Sequence, residues 1–250
     1  MKNILIYGNN SFLAKNFITK ENKNHKLYFF KIYFNNEINF REKIIKFIKK
    51  NKINCIINFA ANNDNAINSS NSIDILKSNF TLPSLLVEIS SKFKIELFLF
   101  LSKEMKKKNS NKDNFYSFSK NLLLDYIHHS KHKNKIRFIN LGSIYGPMDV
   151  NFKRLIPSII IKILKKHNKK ININQKKEFT YVDDAVNEIS LLLSMNKKFT
   201  NTTIKSKVYD VGEVYHYLKN YYLKNNYKRI NKYDNFITTF NWYLKNYEKQ

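Results

Sequence analysis

Tyr116 and Lys120 stand four residues apart in the segment Tyr116-Ser117-Phe118-Ser119-Lys120. On a helix that spacing puts both side chains on one face, one turn apart. A lysine cation beside a phenol favours the phenolate, so the pair has the chemistry of a proton-transfer group near neutral pH. Tyrosine and lysine are abundant throughout the chain, so the pair gains its weight from the residues around it.

The first of these are glycines. The sequence holds 4 Gly in 250 residues, at positions 8, 142, 146 and 212, against roughly 7% in average proteins. In so glycine-poor a chain, each marks backbone geometry that other residues reach only at a cost. Gly8 closes the apolar run Ile4-Leu5-Ile6-Tyr7 and is followed by Asn9-Asn10-Ser11-Phe12-Leu13-Ala14. That pattern predicts a buried strand, a tight turn and a helix start, the βα unit whose helix N-terminus receives a pyrophosphate.

Runs of strand and helix length alternate through the first 145 residues, which predicts βαβ units around a parallel sheet. Strands are expected at about 3–7, 27–33, 53–59, 96–102 and 136–141. Helices are expected at about 11–20, 40–51, 73–92 and 114–130, the third interrupted or bent near Pro83. After Pro147 the pattern predicts a helix around 154–166, a short strand near 171–174, a helix near 183–195 and an amphipathic C-terminal helix. The expected organisation is a doubly wound, Rossmann-like domain over 1–150 and a small, shortened C-terminal lobe over 151–250, interleaved with the first rather than independent.

A formal charge of +26 invites a nucleic-acid reading. The charge is carried almost entirely by scattered lysines, with Arg at positions 41, 137, 154 and 229 alone, so the composition lacks the guanidinium groups suited to bidentate phosphate and base contacts. Specific nucleic-acid recognition is therefore not expected. The single cysteine, Cys55, lies in an apolar run and reads as a buried structural thiol, in keeping with a reducing cytoplasm. The apolar stretches are too short for a signal-peptide core or a membrane span. His128, His129 and His132 lack a completing carboxylate or cysteine and read as a solvated helix end, so no metal is expected. Asp183-Asp184 reads as helix-start chemistry.

In this order the motifs resemble the extended short-chain dehydrogenase/reductase family, the NAD-dependent epimerase/dehydratase group that acts on nucleotide sugars. Gly8 to Ala14 sits where its glycine-rich turn belongs, Asn58-Phe59-Ala60-Ala61 is similar to its strand end, and Asn79 falls on its helix asparagine. Tyr116 and Lys120 occupy its Tyr-x-x-x-Lys. Gly142-Ser143-Ile144-Tyr145-Gly146-Pro147, Lys177 to Asp184, Tyr209-Asp210-Val211-Gly212 and Thr239 to Tyr243 resemble its later motifs. The likeness covers nearly the whole chain.

The resemblance implies NAD or NADP as cofactor, held by Gly8, Asn10, Ser11, Phe12, Leu13, Phe59, Ala60, Ala61, Asn79 and Lys120. It implies Tyr116 as acid/base, Lys120 as its cation and ribose partner, and Ser102 as the hydroxyl on the reacting sugar oxygen. Asn140, Ser143 and Lys177 would meet a nucleotide-sugar substrate. A cytoplasmic epimerase, reductase or dehydratase working on polysaccharide precursors follows, with pairing of copies through the helices bearing Tyr116 and 73–92. Ser11 and Ala14 replace two turn glycines, Lys103 competes with Ser102 for the catalytic hydroxyl position, and Asn140 and Lys177 stand where relatives carry arginine. These departures define the rival reading, a catalytically impaired dinucleotide- or sugar-nucleotide-binding protein with a regulatory partner.

Overall fold

The structure, a computed structural model, describes residues 1–30, 37–62, 71–103, 115–130, 136–165, 171–195, 200–224 and 228–247. Lys31, Lys106 to Lys108, His132 and the lysines of 166–170 lie outside the described residues. By internal contact the chain forms two units, Met1–Leu141 with Ser190–Ile204, and Gly142–Ile189 with Lys205–Gln250. The first division therefore falls at Leu141/Gly142, before the expected 150, and residues 190–204 return to the first unit.

In the first unit, β1 (Asn3–Tyr7), β2 (Lys26–Phe29), β3 (Cys55–Asn58), β4 (Glu96–Ser102), β5 (Ile136–Leu141) and β8 (Thr200–Thr203) form one sheet in the order β2-β1-β3-β4-β5-β8. Every pairing is parallel. Such a sheet is covered on both faces, which is why β1 and β3 are apolar without alternation and Ile4, Leu5, Ile6, Ile56 and Ile57 are inaccessible to solvent. Helix α1 (Phe12–Glu21) buries Leu13, Ala14 and Phe17, and α2 (Glu37–Lys50) buries Phe40, Ile44 and Ile48, both at helical spacing. Strand β8 is the sequence Thr-Asn-Thr-Thr, with no apolar signal, and its place beside β5 explains the return of 190–204.

The long helix expected over 73–92 is divided. Helix α3 (Ser72–Leu76) runs into a π-helical turn, Lys77–Thr81, and then α4 (Leu82–Phe93). Pro83 cannot donate to the carbonyl one turn back, and the ladder widens there, with the Leu82 N–H reaching the Lys77 carbonyl. Helix α5 (Phe115–His129) carries the Tyr116–Lys120 segment.

The second unit contains β6 (Ser143–Tyr145), α6 (Leu155–Lys165), β7 (Lys176–Tyr181), the start of α7 (Val182–Ser194), β9 (Lys207–Asp210), α8 (Val211–Leu223) and α9 (Asp234–Tyr247). Strand β7 pairs parallel with β6 and antiparallel with β9. The strand expected at 171–174 is displaced to 176–181. Asn172 Oδ1 accepts the Asn174 N–H at 3.1 Å and the Asn172 carbonyl accepts Gln175 Nε2 at 2.7 Å, so the alternating Ile-Asn-Ile-Asn run turns instead of extending. Aromatic rings fill this unit: Tyr145 stacks on Phe236 at 4.2 Å, and Phe179 and Tyr209 meet Phe236 edge-on.

Candidate active site

The sheet order reverses at β1, between β2 and β3, and Gly8 sits at the carboxyl end of β1 with φ +79°. In an open α/β sheet that is the crevice where ligands bind. The Gly8 carbonyl accepts the Ser11 N–H at 3.0 Å, closing the turn, and Ser11 caps α1 by accepting the Ala14 N–H at 3.3 Å. Ser11 has extended geometry (φ −67°), a backbone conformation open to any residue, and its hydroxyl turns back onto its own helix. From β3, the Phe59 N–H bonds to the Tyr7 carbonyl at 2.8 Å, and Asn58 Oδ1 accepts the Ala60 N–H at 3.1 Å. Phe59 and Ala60 are thus set beside Gly8 by their own backbone, and Ala61 follows, exposed.

Not every expected cofactor residue offers its side chain there. Asn10 is exposed and Phe12 is half-buried, but Leu13 is buried in the core. Phe59 packs its ring against Phe17 and Phe100, at 5.5 and 4.9 Å, leaving its backbone at the turn. Asn79 is inaccessible in the π turn and works inward. Its Oδ1 accepts the Asn62 N–H at 2.9 Å, and its Nδ2 donates to the Asn62 carbonyl at 2.9 Å and to Ser119 Oγ at 3.1 Å.

Ser119 in turn donates to the Tyr116 carbonyl at 2.7 Å. The loop after β3 and the helix bearing Tyr116 are therefore joined through two fully buried polar side chains. Lys120, 3% exposed, donates to the Phe100 carbonyl at 3.1 Å, with its nitrogen 5.9 Å from the Tyr116 ring centroid. Burial lowers its pKa to about 8. The expected face-sharing of Tyr116 and Lys120 on one helix is what the structure holds, and the ammonium has one carbonyl to keep it in place.

Ser102 is the last residue of β4, opposite Leu141 in the register, and Lys103 follows it. Asn140, expected at the substrate, is 7% exposed, and its amide donates to Asn201 Oδ1 at 2.5 Å and to the Thr202 carbonyl at 3.3 Å. With so little apolar surface in β8, this side chain helps hold the edge strand to β5.

The second unit has its own cleft, of about 410 Å³, whose walls include Ser143, Lys153, Arg154, Asn172, Gln175 and Lys177. Two of the three expected substrate residues, Ser143 and Lys177, share it. Arg154 was not singled out by motif; its scarcity as one of four arginines in a lysine-rich chain was the available signal. The three cations give the cleft the charge for an anionic ligand.

His128 and His129 are exposed on the last turn of α5, and among the described residues no His, Cys, Asp or Glu cluster could hold a metal ion. Asp183 and Asp184 lie in the first turn of α7, where the helix dipole favours them. Cys55 is buried, and burial pushes its thiol pKa up. No helix among the described residues is long and apolar enough to cross a membrane.

No curated protein matches the chain by sequence. Solved structures match its fold over almost its full length. A dTDP-glucose 4,6-dehydratase from Bacillus anthracis, in complex with NAD, is 18% identical with a TM-score of 0.75, covering 99% of this chain and 98% of its own. A UDP-glucose 4-epimerase from Thermotoga maritima, with UDP-glucose, is 13% identical with a TM-score of 0.77 over 97% and 99%. A dTDP-4-dehydrorhamnose reductase from Bacillus anthracis, in complex with NADP, is 16% identical with a TM-score of 0.72 over 92% and 83%. The model of one family, described as the NAD dependent epimerase/dehydratase family, matches residues 13–212, which is most of the sequence, and to that family the chain belongs.

Proposed function

We propose that this protein is an NAD(P)-dependent enzyme that moves hydride at a sugar carbon of a nucleotide sugar, as an epimerase, reductase or dehydratase. The observation that carries this reading is the buried Lys120 ammonium beside Tyr116, in the same unit as the Gly8 turn. The Gly8 turn fits a dinucleotide: it brings two backbone segments together without side chains beside the capped N-terminus of α1. Bound there, the nicotinamide would supply hydride acceptance and donation.

Tyr116 is assigned the proton transfer at the sugar oxygen, and Lys120 the cation that keeps the phenol acidic. Ser102, closing β4, is assigned a hydrogen bond to the same oxygen. Ser143 and Lys177 are assigned to the nucleotide moiety, in the cleft of the second unit. The structural neighbours supply the substrate class of this proposal, since the epimerase among them holds UDP-glucose.

The test is a panel of UDP- and dTDP-sugars with NAD or NADP, following nicotinamide absorbance and sugar products, with Tyr116→Phe as control. Turnover that falls by two orders of magnitude or more in the variant supports the assignment, on the scale of acid/base contributions of about 10²–10⁴-fold. Cofactor binding without turnover on any sugar would favour the impaired-binder reading instead.

A further inference from the structure

The segment between β6 and α6 is locked around one buried carboxylate. Asp149 is 1% exposed. Its Oδ1 accepts the Asn151 N–H at 3.3 Å, and its Oδ2 accepts Arg154 Nη1 at 2.8 Å. Its own carbonyl accepts the Tyr243 hydroxyl from α9. The other terminal nitrogen of Arg154, Nη2, donates to the Ile144 carbonyl at 2.5 Å, and the Arg154 backbone N–H reaches the Asn151 carbonyl at 2.9 Å. The guanidinium is thus gripped at both ends while its side chain, 31% exposed, forms part of the cleft wall with Lys153 and Lys177.

A buried carboxylate is an expensive way to stabilise a fold, because an apolar residue of similar size avoids the desolvation cost. It does give a long, rotamer-rich side chain a single position. Arginine fixed before its ligand arrives loses little further freedom on binding, and its delocalised cation joins those of Lys153 and Lys177 on the cleft wall.

We propose that Asp149 is a positioning residue for anion recognition, holding Arg154 on the cleft wall to meet the phosphates of a nucleoside diphosphate group. The proposal rests on the reading of this cleft as the nucleotide site. It adds a residue whose side chain is buried away from the ligand and acts only through Arg154.

The test is calorimetric titration of the full chain with UDP, dTDP and uridine, for the wild type, Asp149→Asn, Arg154→Met and the double variant, with NADH binding as a check on the first unit. The expected result is a loss of about tenfold or more in nucleoside diphosphate affinity for each single variant, the scale of one charge-assisted hydrogen bond. The double variant should be no weaker than Arg154→Met, and uridine and NADH affinities should stay at wild-type values. Wild-type diphosphate affinity in Asp149→Asn, additive losses, or an equal loss for uridine would each overturn the proposal. If Asp149→Asn does not fold, Arg154→Lys, which cannot span Asp149 and the Ile144 carbonyl as the guanidinium does, carries the test: weakened UDP with unchanged uridine supports the proposal, and unchanged UDP overturns it. Failure of the wild type to bind either diphosphate would overturn the nucleotide reading and this proposal together, a result distinct from a wild type that binds and variants that match it.

Discussion

A Cβ built on Gly8 would stand 2.4 Å from the Ala60 nitrogen and 2.8 Å from its Cα. Both neighbours are backbone, so neither can yield, and the φ of +79° disfavours any L side chain. Gly8→Ala should therefore destabilise the protein by roughly 2 kcal/mol or more and abolish NADH binding. Urea unfolding together with an NADH titration checks this. A variant with wild-type stability and affinity would show that β1 and β3 do not approach as described.

The Asn79–Ser119 link separates in the same way. Asn79→Ala leaves the Asn62 N–H and carbonyl without their buried partner, an expected cost of roughly 2–3 kcal/mol. Ser119→Ala removes the bond to the Tyr116 carbonyl and the acceptor of one Asn79 Nδ2 hydrogen, while Asn79 keeps both bonds to Asn62, and should cost about 1 kcal/mol. Thermal or urea unfolding of the two variants ranks them directly, and equal losses would contradict the geometry.

Lys120 gives a pH signature. Its folded pKa lies near 8, lowered from the ordinary 10.5 by burial. Below pH 8 the group is charged in both folded and unfolded chains, and the burial cost is fully present. Between 8 and 10.5 the folded chain releases its proton first, so the unfolded chain binds more protons and folding gains stability as pH rises. The stability of Lys120→Met relative to wild type should therefore be greatest near neutrality and decline by on the order of 3 kcal/mol across that window. Denaturant titrations of both proteins at neutral pH and at the top of that window measure the change, and a constant difference would contradict it.

Ser11 caps α1, so Ser11→Ala should cost about 1 kcal/mol and Ser11→Gly only a few tenths. Indistinguishable unfolding curves for wild type and Ser11→Ala would rule out the cap.

The sheet was legible because buried parallel strands are written as unbroken apolar runs, as in Ile4 to Tyr7 and Cys55 to Ile57. The edge strand β8 was not, because Thr200 to Thr203 contains no apolar residue and is held by pairing with β5 and by the Asn140 amide. Helix α8 was hidden in a tyrosine-rich tail whose periodicity is weak, although Asp210 caps it through the Glu213 N–H at 3.0 Å. In the site, the local Tyr116–Lys120 pair could be read from its helical spacing together with the motifs around it. The Asn79–Ser119 bridge and the Asp149–Arg154 grip could not, since a hydrogen bond from α5 to the π turn leaves no mark on either segment, and a buried carboxylate next to Val150 looks like any loop aspartate.

The most direct test of the account is a fluorescence titration of the purified protein with NADH and with NADPH at near-physiological salt. Saturable micromolar binding of one of them, lost in Gly8→Ala, is expected. Binding of neither below the millimolar range, by a protein whose fold is intact, would contradict the assignment of the Gly8 turn as a dinucleotide site and with it the proposed hydride chemistry.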